Sequence, residues 1–324
     1  MAPQIIEKPS KRVLLIASGG DAPGMNPCLE AMYLQCKDMG YKAFGASGYG
    51  SLIRGNWREL NDKNATGISH ETGCVLGSER CRQFLEPAGF DKAVESAGRN
   101  FDAVVVMGGD GSLKGAHALG EKGIKTIWIP TTIDNGIPST DLALGFQTAA
   151  AKGAQLVDNS NKTLWTSHKH HLAWIMGERF PNLANHVAEV TNAVLVDTVD
   201  KRYTPEQMAD ALETHLAKTG KHGHIVLQER VEPGKRNQSD EEVLRAQIRS
   251  KVAEVMGNED IRNTFSGYEI RGAPPIKDER KLARDFGRRA VGMVNHKAPN
   301  AGIGIKDGEI VARPLNEIIS MLGQ

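Results

Sequence analysis

The chain has 324 residues, which is more than one hydrophobic core usually holds, and this length predicts two lobes. Its 40 basic and 39 acidic residues nearly balance, so there is no overall field that would attract nucleic acid or an anionic membrane. The four cysteines show neither C-x-x-C spacing nor a disulfide framework, and we expect reduced thiols. Residues 1–11 are polar, and no apolar run approaches the roughly 18 residues of a membrane helix. We therefore expect a cytoplasmic protein without a nucleic-acid or membrane partner.

Short aliphatic runs recur along the chain, separated by amphipathic stretches of helix length. The six clearest runs are residues 13–17, 103–107, 126–129, 172–176, 193–196 and 225–228. Continuous apolar runs are typical of strands that are buried on both faces of a parallel sheet, and their alternation with helices predicts a doubly wound α/β architecture. In such sheets ligands bind beyond the carboxyl ends of the strands, so we looked for unusual residues after each strand.

Two glycine-rich loops follow predicted strands. Residues 18–26 follow the first strand, and residues 108–112 follow the strand at 103–107. Neither the G-x-G-x-x-G spacing of dinucleotide folds nor the Walker pattern is present in the first loop. Glycines let the backbone approach phosphates, and the N–H groups at a helix N-terminus attract anions. Two such loops on one sheet favour a single polyphosphate that is held from two sides.

Two aspartates in these loop regions carry further information. Asp110 lies within the second glycine loop, where it would repel phosphate unless a cation lay between them, so it indicates Mg²⁺. Asp134 follows the next strand, where a carboxylate near phosphate can accept the proton of an attacking hydroxyl. The alternative for each aspartate is an ordinary turn or helix cap. Lipid kinases and NAD kinases also carry a segment like 108–111, but that interpretation leaves the first loop unexplained.

Six segments together resemble the signatures of the phosphofructokinase family, in the family's order and near its spacing. They are residues 19–26, 76–80, 108–112, 132–135, 140–149 and 176–177, with later matches at Glu229, Arg262 and 267–272. The match runs from about residue 13 to residue 280, and the combination is specific although each piece alone is not. The resemblance implies an ATP-type 6-phosphofructokinase-like kinase that uses ATP and Mg²⁺ and phosphorylates a sugar phosphate.

The resemblance and the order of the motifs also predict two Rossmann-like lobes with mainly parallel sheets. The nucleotide lobe is expected to comprise residues 1–144 plus 270–305. The sugar-phosphate lobe is expected to comprise residues 145–269 plus 306–324. Both glycine loops fall in the first lobe and Glu229 falls in the second.

Roles follow from the resemblance position by position. It implies that Asp134 is the general base, that Thr132 positions the transferred phosphoryl group, and that Arg80 is a catalytic group in contact with phosphate. The implied nucleotide ligands are Gly20, Tyr49, Arg80, Gly109, Asp110, Gly111 and Ser112, with Asp110 as the metal ligand. The implied sugar-phosphate ligands are Thr132, Asp134, Lys169, Met176, Gly177, Glu229, Arg262, Tyr268 and Arg271. Arg262 and Lys169 resemble cationic residues that reach in from a neighbouring subunit, which implies a homodimer or homotetramer with shared sites.

Several positions depart from the family pattern on the acceptor side. Gly136 stands where an aspartate that touches the acceptor is usual, so we expect free space and one hydrogen-bond acceptor fewer. Glu178 replaces an arginine, with Arg179 one place later, while Tyr268 replaces a histidine and Lys169 replaces an arginine. Because the base is retained, this pattern favours a working kinase with altered acceptor specificity.

Two positions concern the donor. Gly111 leaves room for a nucleotide where pyrophosphate-using relatives carry Asp, and Thr131 stands where they carry Lys, so both favour ATP. Glu30 and Leu34 occupy arginine positions of the bacterial regulatory site, which we expect to be absent. Two alternatives stay open: a non-catalytic subunit that binds nucleotide or sugar phosphate, and a pyrophosphate-dependent phosphofructokinase.

Overall fold

The computed structural model describes residues 10–177, 179–230, 238–257, 260–295 and 299–322. The polar N-terminal residues 1–9 and the substituted Glu178 lie outside the described residues. The chain divides into two compact units, unit 1 (Met1–Thr132, Ile137–Gly145 and Pro274–Gln324) and unit 2 (Ile133–Gly136 and Phe146–Ala273). Within the described ranges, no helix combines the length and the apolar composition that a membrane span requires.

Unit 1 is built on a sheet that has eight strands within the described residues. Numbered along the chain, these strands are β1 (Arg12–Ala17), β2 (Lys42–Ser47), β3 (Arg58–Glu59), β4 (Ala103–Gly108), β5 (Thr126–Thr132), β6 (Leu144–Gly145), β11 (Ala301–Lys306) and β12 (Glu309–Pro314). The order is β12-β11-β5-β4-β1-β2-β3, and β6 pairs with β5. The pairs are parallel except β2 with β3 and β11 with β12.

Helices cover both faces of this sheet. They are α1 (Met25–Asp38), α2 (Gly50–Arg54), α3 (Asp62–Ala65), α4 (Pro87–Asn100), α5 (Asp110–Glu121), α11 (Lys277–Gly292) and α12 (Leu315–Leu322), with short 3₁₀ turns at Arg82–Leu85 and Met293–Asn295. Leu15 of β1 packs with Met25 and Phe286 on one face, and its neighbour Leu14 packs with Leu113 and Ile318 on the other. Since both faces are buried, the strands are continuous apolar runs.

Unit 2 has a parallel sheet with four strands among the described residues, in the order β10-β7-β9-β8. Its strands are β7 (His170–Ile175), β8 (Leu195–Asp197), β9 (His224–Gln228) and β10 (Ile261–Ser266). Its helices are α6 (Phe146–Thr166), α7 (Asn182–Thr191), α8 (Pro205–Thr219), α9 (Gln238–Val255) and α10 (Tyr268–Arg271). Side chains of α8 and α9 bury Leu172 and Trp174 in one core. The expected α/β fold class with mainly parallel sheets is confirmed.

The C-terminal segment departs from the expected lobe boundaries. Residues from 306 onward, which were expected in the sugar-phosphate lobe, belong to unit 1, because β12 pairs with β11 and Leu315 and Ile318 enter the unit 1 core. Residues 270–273 belong to unit 2 rather than to the nucleotide lobe. The run predicted as a strand at 193–196 forms the shorter and later strand β8.

Neutral histidines are buried at the amino ends of the unit 2 strands. His171 Nδ1 lies 2.6 Å from Asn161 Oδ1, and its Nε2 lies 2.7 Å from Thr264 Oγ1. Burial, with a smaller contribution from His224, lowers the pKa of His171 from 6.5 to about 3. Burial also lowers the pKa of His224 to about 4. The fold therefore accommodates both side chains in their uncharged forms.

Stability should consequently fall as the pH drops below 6.5, the ordinary His pKa, because the unfolded chain then binds protons that folded His171 does not bind. We expect His171→Gln to reduce the slope of the free energy of unfolding against pH by the equivalent of about one proton. This is about 1.4 kcal/mol per pH unit between about pH 6 and pH 4. Denaturant unfolding at each pH measures the slope. The exposed His70→Gln is the matched control, and equal slopes for His171→Gln and the unmodified chain would contradict the assignment.

Candidate functional site

The two glycine loops of unit 1 lie side by side, where β1 and β4 end. An added Cβ on Gly108 would overlap Ser112 Oγ and lie 2.5 Å from the Ser18 carbonyl oxygen. The Ser112 hydroxyl donates to that carbonyl at 3.2 Å, and Ser18 N–H donates to the Met107 carbonyl at 2.9 Å. The close approach therefore depends on glycine at 108, and it brings the backbones of both loops to one edge of the sheet.

Helix α5 begins immediately after this contact. Gly109 is its N-cap and Asp110 lies in its first turn, and the N–H groups at a helix N-terminus attract anions. Gly111 is exposed, and an added Cβ there would meet no atom within 4 Å. Ser112 is buried and holds the first loop. Gly109, Asp110 and Gly111 are thus the surface part of the predicted phosphate site.

A third segment of unit 1 pairs with the first loop. Gly19 N–H donates to the Glu79 carbonyl at 3.0 Å, and Ser18 forms a parallel bridge with Glu79. Arg80 is the next residue and is exposed, one position beyond this pairing. The structure therefore brings Gly20 and Arg80, two of the predicted phosphate-contacting residues, to adjacent backbone segments.

Tyr49 lies inside unit 1. Its ring stacks on Phe84 with the centroids 4.2 Å apart, and its hydroxyl donates to the Ser112 carbonyl at 2.5 Å. Burial raises the pKa of Tyr49 well above its usual value, so it remains a neutral donor. Its side chain supports the first turn of α5 from the core side.

Thr132 ends β5 and is tied to the first loop through a buried carboxylate. It pairs with Gly145, whose N–H donates to Glu279 Oε1 at 2.8 Å. An added Cβ on Gly24 would lie 3.3 Å from the same oxygen. Glu279 is fully buried. Sequence reasoning missed this residue, since it lies on α11, far along the chain from both glycines.

In unit 2, Asp134 lies on a segment whose backbone carbonyls accept hydrogen bonds from a side-chain amide. Asn182 Nδ2 donates to the carbonyls of Asp134 at 3.3 Å and Asn135 at 2.9 Å. An added Cβ on Gly177 would lie 3.5 Å from Asp134 Oδ1, so the carboxylate lies against the Gly177 backbone. Gly177 has φ +138°, a value that favours glycine.

Three neighbouring strands of unit 2 bring further predicted residues to the same place. Met176 N–H donates to the Ser266 carbonyl at 3.1 Å, which joins the ends of β7 and β10. Gly177 N–H donates to Glu229 Oε2 at 3.2 Å, which joins the ends of β7 and β9. Asp134, Met176, Gly177 and Glu229 therefore form one cluster at the carboxyl ends of these strands.

The remaining predicted sugar-phosphate ligands lie on the short helix α10 or at the starts of strands. Tyr268 is 73% exposed and begins α10, and Arg271 ends it, so both follow the carboxyl end of β10. Lys169 and Arg262 instead lie at the amino ends of β7 and β10, where Lys169 Nζ is 3.1 Å from Asp260 Oδ1. Within one chain Lys169 and Arg262 lie outside the Asp134 cluster, because they are at the opposite ends of these strands.

The free space expected beside Gly136 is absent from this described part of unit 2. An added Cβ on Gly136 would overlap the aromatic ring of Phe180. The expectation of an open position was therefore wrong, since a side chain from another loop fills it. The sequence pattern held no signal for this contact.

The metal expectation is compatible with the residues present. The described residues contain no group of three or more His, Cys, Asp or Glu that could hold a metal ion. Mg²⁺ is commonly bound through one or two carboxylates together with substrate phosphates and water. Asp110, beside the N–H groups of α5, fits an ion that binds together with a nucleotide.

Comparison with known proteins decides the family. The phosphofructokinase family profile matches residues 12–294. This chain belongs to the phosphofructokinase family. The ATP-dependent 6-phosphofructokinase of Finegoldia magna is 31% identical over 315 residues, which cover 96% of this chain and 94% of that protein.

Solved structures of phosphofructokinases share the fold. That of Pichia pastoris in the T-state is 25% identical, with a TM-score of 0.87 over 98% of this chain and 36% of that one. That of Saccharomyces cerevisiae is 24% identical, with a TM-score of 0.84 over 97% of this chain and 46% of that one. This family member therefore spans less than half of either yeast chain.

The contact at Gly108 yields a matched test. We expect Gly108→Ala to cost about 1–3 kcal/mol of stability through overpacking and to abolish the rise in thermal midpoint on adding ATP. Gly292→Ala, at the end of α11, is the control, because its methyl group would meet no atom within 4 Å. Thermal shift with and without ATP measures both effects. An unchanged ATP response in Gly108→Ala would show that the contact does not shape the nucleotide site.

Proposed function

We propose that this chain transfers the γ-phosphoryl group of ATP to a hydroxyl of fructose 6-phosphate or a closely related sugar phosphate. The observation that carries the proposal is the contact of the two glycine loops at the start of α5 in a chain of this family. Such a surface of backbone N–H groups can bind polyphosphate with few side-chain contacts. The chemistry then requires alignment and neutralisation of charge more than covalent catalysis.

The donor is held by unit 1. Gly20, Gly109 and the first turn of α5 present N–H groups to the phosphates, and Arg80 adds positive charge. Asp110 would hold Mg²⁺, which neutralises phosphate charge when it is bound. The open position at Gly111 supports ATP rather than pyrophosphate, because the rest of a nucleotide can pass it without meeting a side chain.

The acceptor is held by unit 2. Asp134 accepts the proton of the attacking hydroxyl while that oxygen bonds to the γ-phosphorus and the bond to ADP breaks. Glu229, Met176 and Gly177 lie beside Asp134 and contact the sugar, and Tyr268 and Arg271 follow the adjacent strand. Thr132 precedes Asp134 by two positions in the sequence, which agrees with its proposed role of positioning the phosphoryl group.

A cytoplasmic location suits this activity. Cys28, Cys36, Cys74 and Cys81 are free thiols, as is usual in a reducing compartment. Burial raises the pKa of Cys36 to about 12, which keeps that thiol protonated. Cell fractionation tests the location, and recovery of the protein outside the cytoplasm would contradict it.

The function is tested by an assay of sugar bisphosphate formation from fructose 6-phosphate, in which ATP and pyrophosphate are compared as donors. We expect turnover with ATP as the donor and none with pyrophosphate. Asp134→Asn should lower kcat by about 10²–10⁴-fold, the usual contribution of a general base, and leave ATP binding unchanged. The exposed Asp200→Asn serves as the charge-matched control. Wild-type kcat in Asp134→Asn would exclude this residue as the base. No sugar bisphosphate with either donor and any sugar phosphate would leave the binding-subunit alternative.

We further propose a homo-oligomer, at least a dimer, in which Arg262 and Lys169 complete the site of the neighbouring subunit. The support is their position at the strand ends away from Asp134, and closed symmetric pairs are the commonest assemblies. Mixing inactive Asp134→Asn with Arg262→Ala, after dissociation and reassembly, should restore about a quarter of wild-type activity, since half of the dimers are mixed and each has one intact site. Each variant reassembled alone is the control. No recovery from the mixture would mean that the sites are not shared.

A further inference from the structure

The ring of Phe180 lies against the backbone of the segment that carries Asp134. It occupies the position that a side chain at residue 136 would take, since even a Cβ on Gly136 would overlap the ring. Phe180 is half-buried, so part of the side chain remains accessible. The Phe180 ring therefore lies on Gly136, which is two positions after the proposed base, Asp134.

Two side-chain amides hold the backbone segments that carry Phe180 and Asp134. Gln228 is 1% exposed, and its Nε2 donates to the carbonyls of Gly177 at 2.7 Å and Phe180 at 3.1 Å. Its Oε1 accepts from Val199 N–H at 2.7 Å, so the amide is held at both ends. Asn182 holds the carbonyl of Asp134 in the same way. Both parts of the arrangement are consequently preorganised.

The residues around Asp134 combine polar and apolar surfaces. Asp134 and Glu229 offer carboxylate oxygens to hydroxyl groups, whereas Phe180 offers an apolar face. Sugar rings likewise have hydroxyl edges and C–H faces, and binding sites for small molecules pair apolar walls with a few directed polar groups. The Arg179 guanidinium lies over the Phe180 ring, with its Cζ 5.8 Å from the centroid. A hydroxyl that points at the ring away from Arg179 loses its hydrogen bond to water and gains no partner, so such a sugar is disfavoured.

We propose that Phe180, packed on Gly136, is the specificity-determining residue of the acceptor site. It selects phosphorylated sugars that turn a C–H face toward the ring, and it rejects stereoisomers that place a hydroxyl there. This inference rests on the proposed kinase function. It also means that specificity cannot be altered at Gly136 alone, because any larger residue there must displace the ring.

The test compares kcat/KM for fructose 6-phosphate and its C3 and C4 epimers as 6-phosphates. Phe180→Ala should reduce the ratio between the best acceptor and its epimers by about tenfold or more, the range that one pocket contact supplies. The KM for ATP should stay unchanged. A merely structural role would lower kcat/KM for all acceptors equally. Phe180→Leu, which keeps apolar volume, provides a folded comparison should Phe180→Ala fail to fold, and it should also reduce the ratio.

A double-mutant cycle tests the pairing with Gly136. Gly136→Asp alone should lower both the thermal midpoint and the turnover of all acceptors, and adding Phe180→Ala should restore the midpoint with a changed acceptor order. Additive losses in the double variant would overturn the pairing. An unchanged acceptor ratio in both Phe180 variants would overturn the specificity role while leaving the kinase function intact. Absence of turnover by the unmodified chain with every acceptor would overturn the kinase function, and this inference with it.

Discussion

The close approach of two backbones at Gly108 is the constraint on which the arrangement of the two glycine loops in unit 1 depends. The Ser18 carbonyl and the Ser112 hydroxyl occupy the space that any other residue would need at this position. The indole Nε1 of buried Trp128 donates to the Gly108 carbonyl at 3.0 Å, which holds the strand end from the other side. With the strand end fixed in this way, α5 starts in one orientation, and its N–H groups point to one place.

A buried carboxylate extends this order to the rest of unit 1. Glu279 meets the first loop at Gly24 and the β5–β6 pair at Gly145, and both glycines have φ values near +100° that other residues rarely adopt. A carboxyl group buried to this degree requires hydrogen-bond partners, and the Gly145 N–H is one of them. The contact makes the positions of the first loop and of Thr132 mutually dependent, although the two lie far apart in the chain.

Sequence patterns predicted the parts of the fold that local physics determines. The strands at 13–17, 103–107 and 126–129 are visible because burial on both faces requires continuous apolar runs. Strand β10 (Ile261–Ser266) was missed, since polar residues interrupt its pattern and half of it is only partly buried. Glu279 and Phe180 were missed for another reason, because their importance arises from contacts with glycines that are distant in sequence. A glycine in the sequence does not show whether its missing side chain leaves open space, as at Gly111, or filled space, as at Gly136.

The two glycines therefore differ in the space around them. At Gly111 of unit 1 the absent side chain leaves open space. At Gly136 the space belongs to Phe180, and uncharged amides of Asn182 and Gln228 hold the surrounding carbonyls. Amides do not titrate, so the hydrogen bonds from Asn182 to the Asp134 segment and from Gln228 to Gly177 and Phe180 do not depend on pH while the protein is folded. Preorganisation of this kind lowers the ordering cost of binding, and under the role proposed for Phe180 the acceptor preference depends on the Gly136–Phe180 pair rather than on a single position.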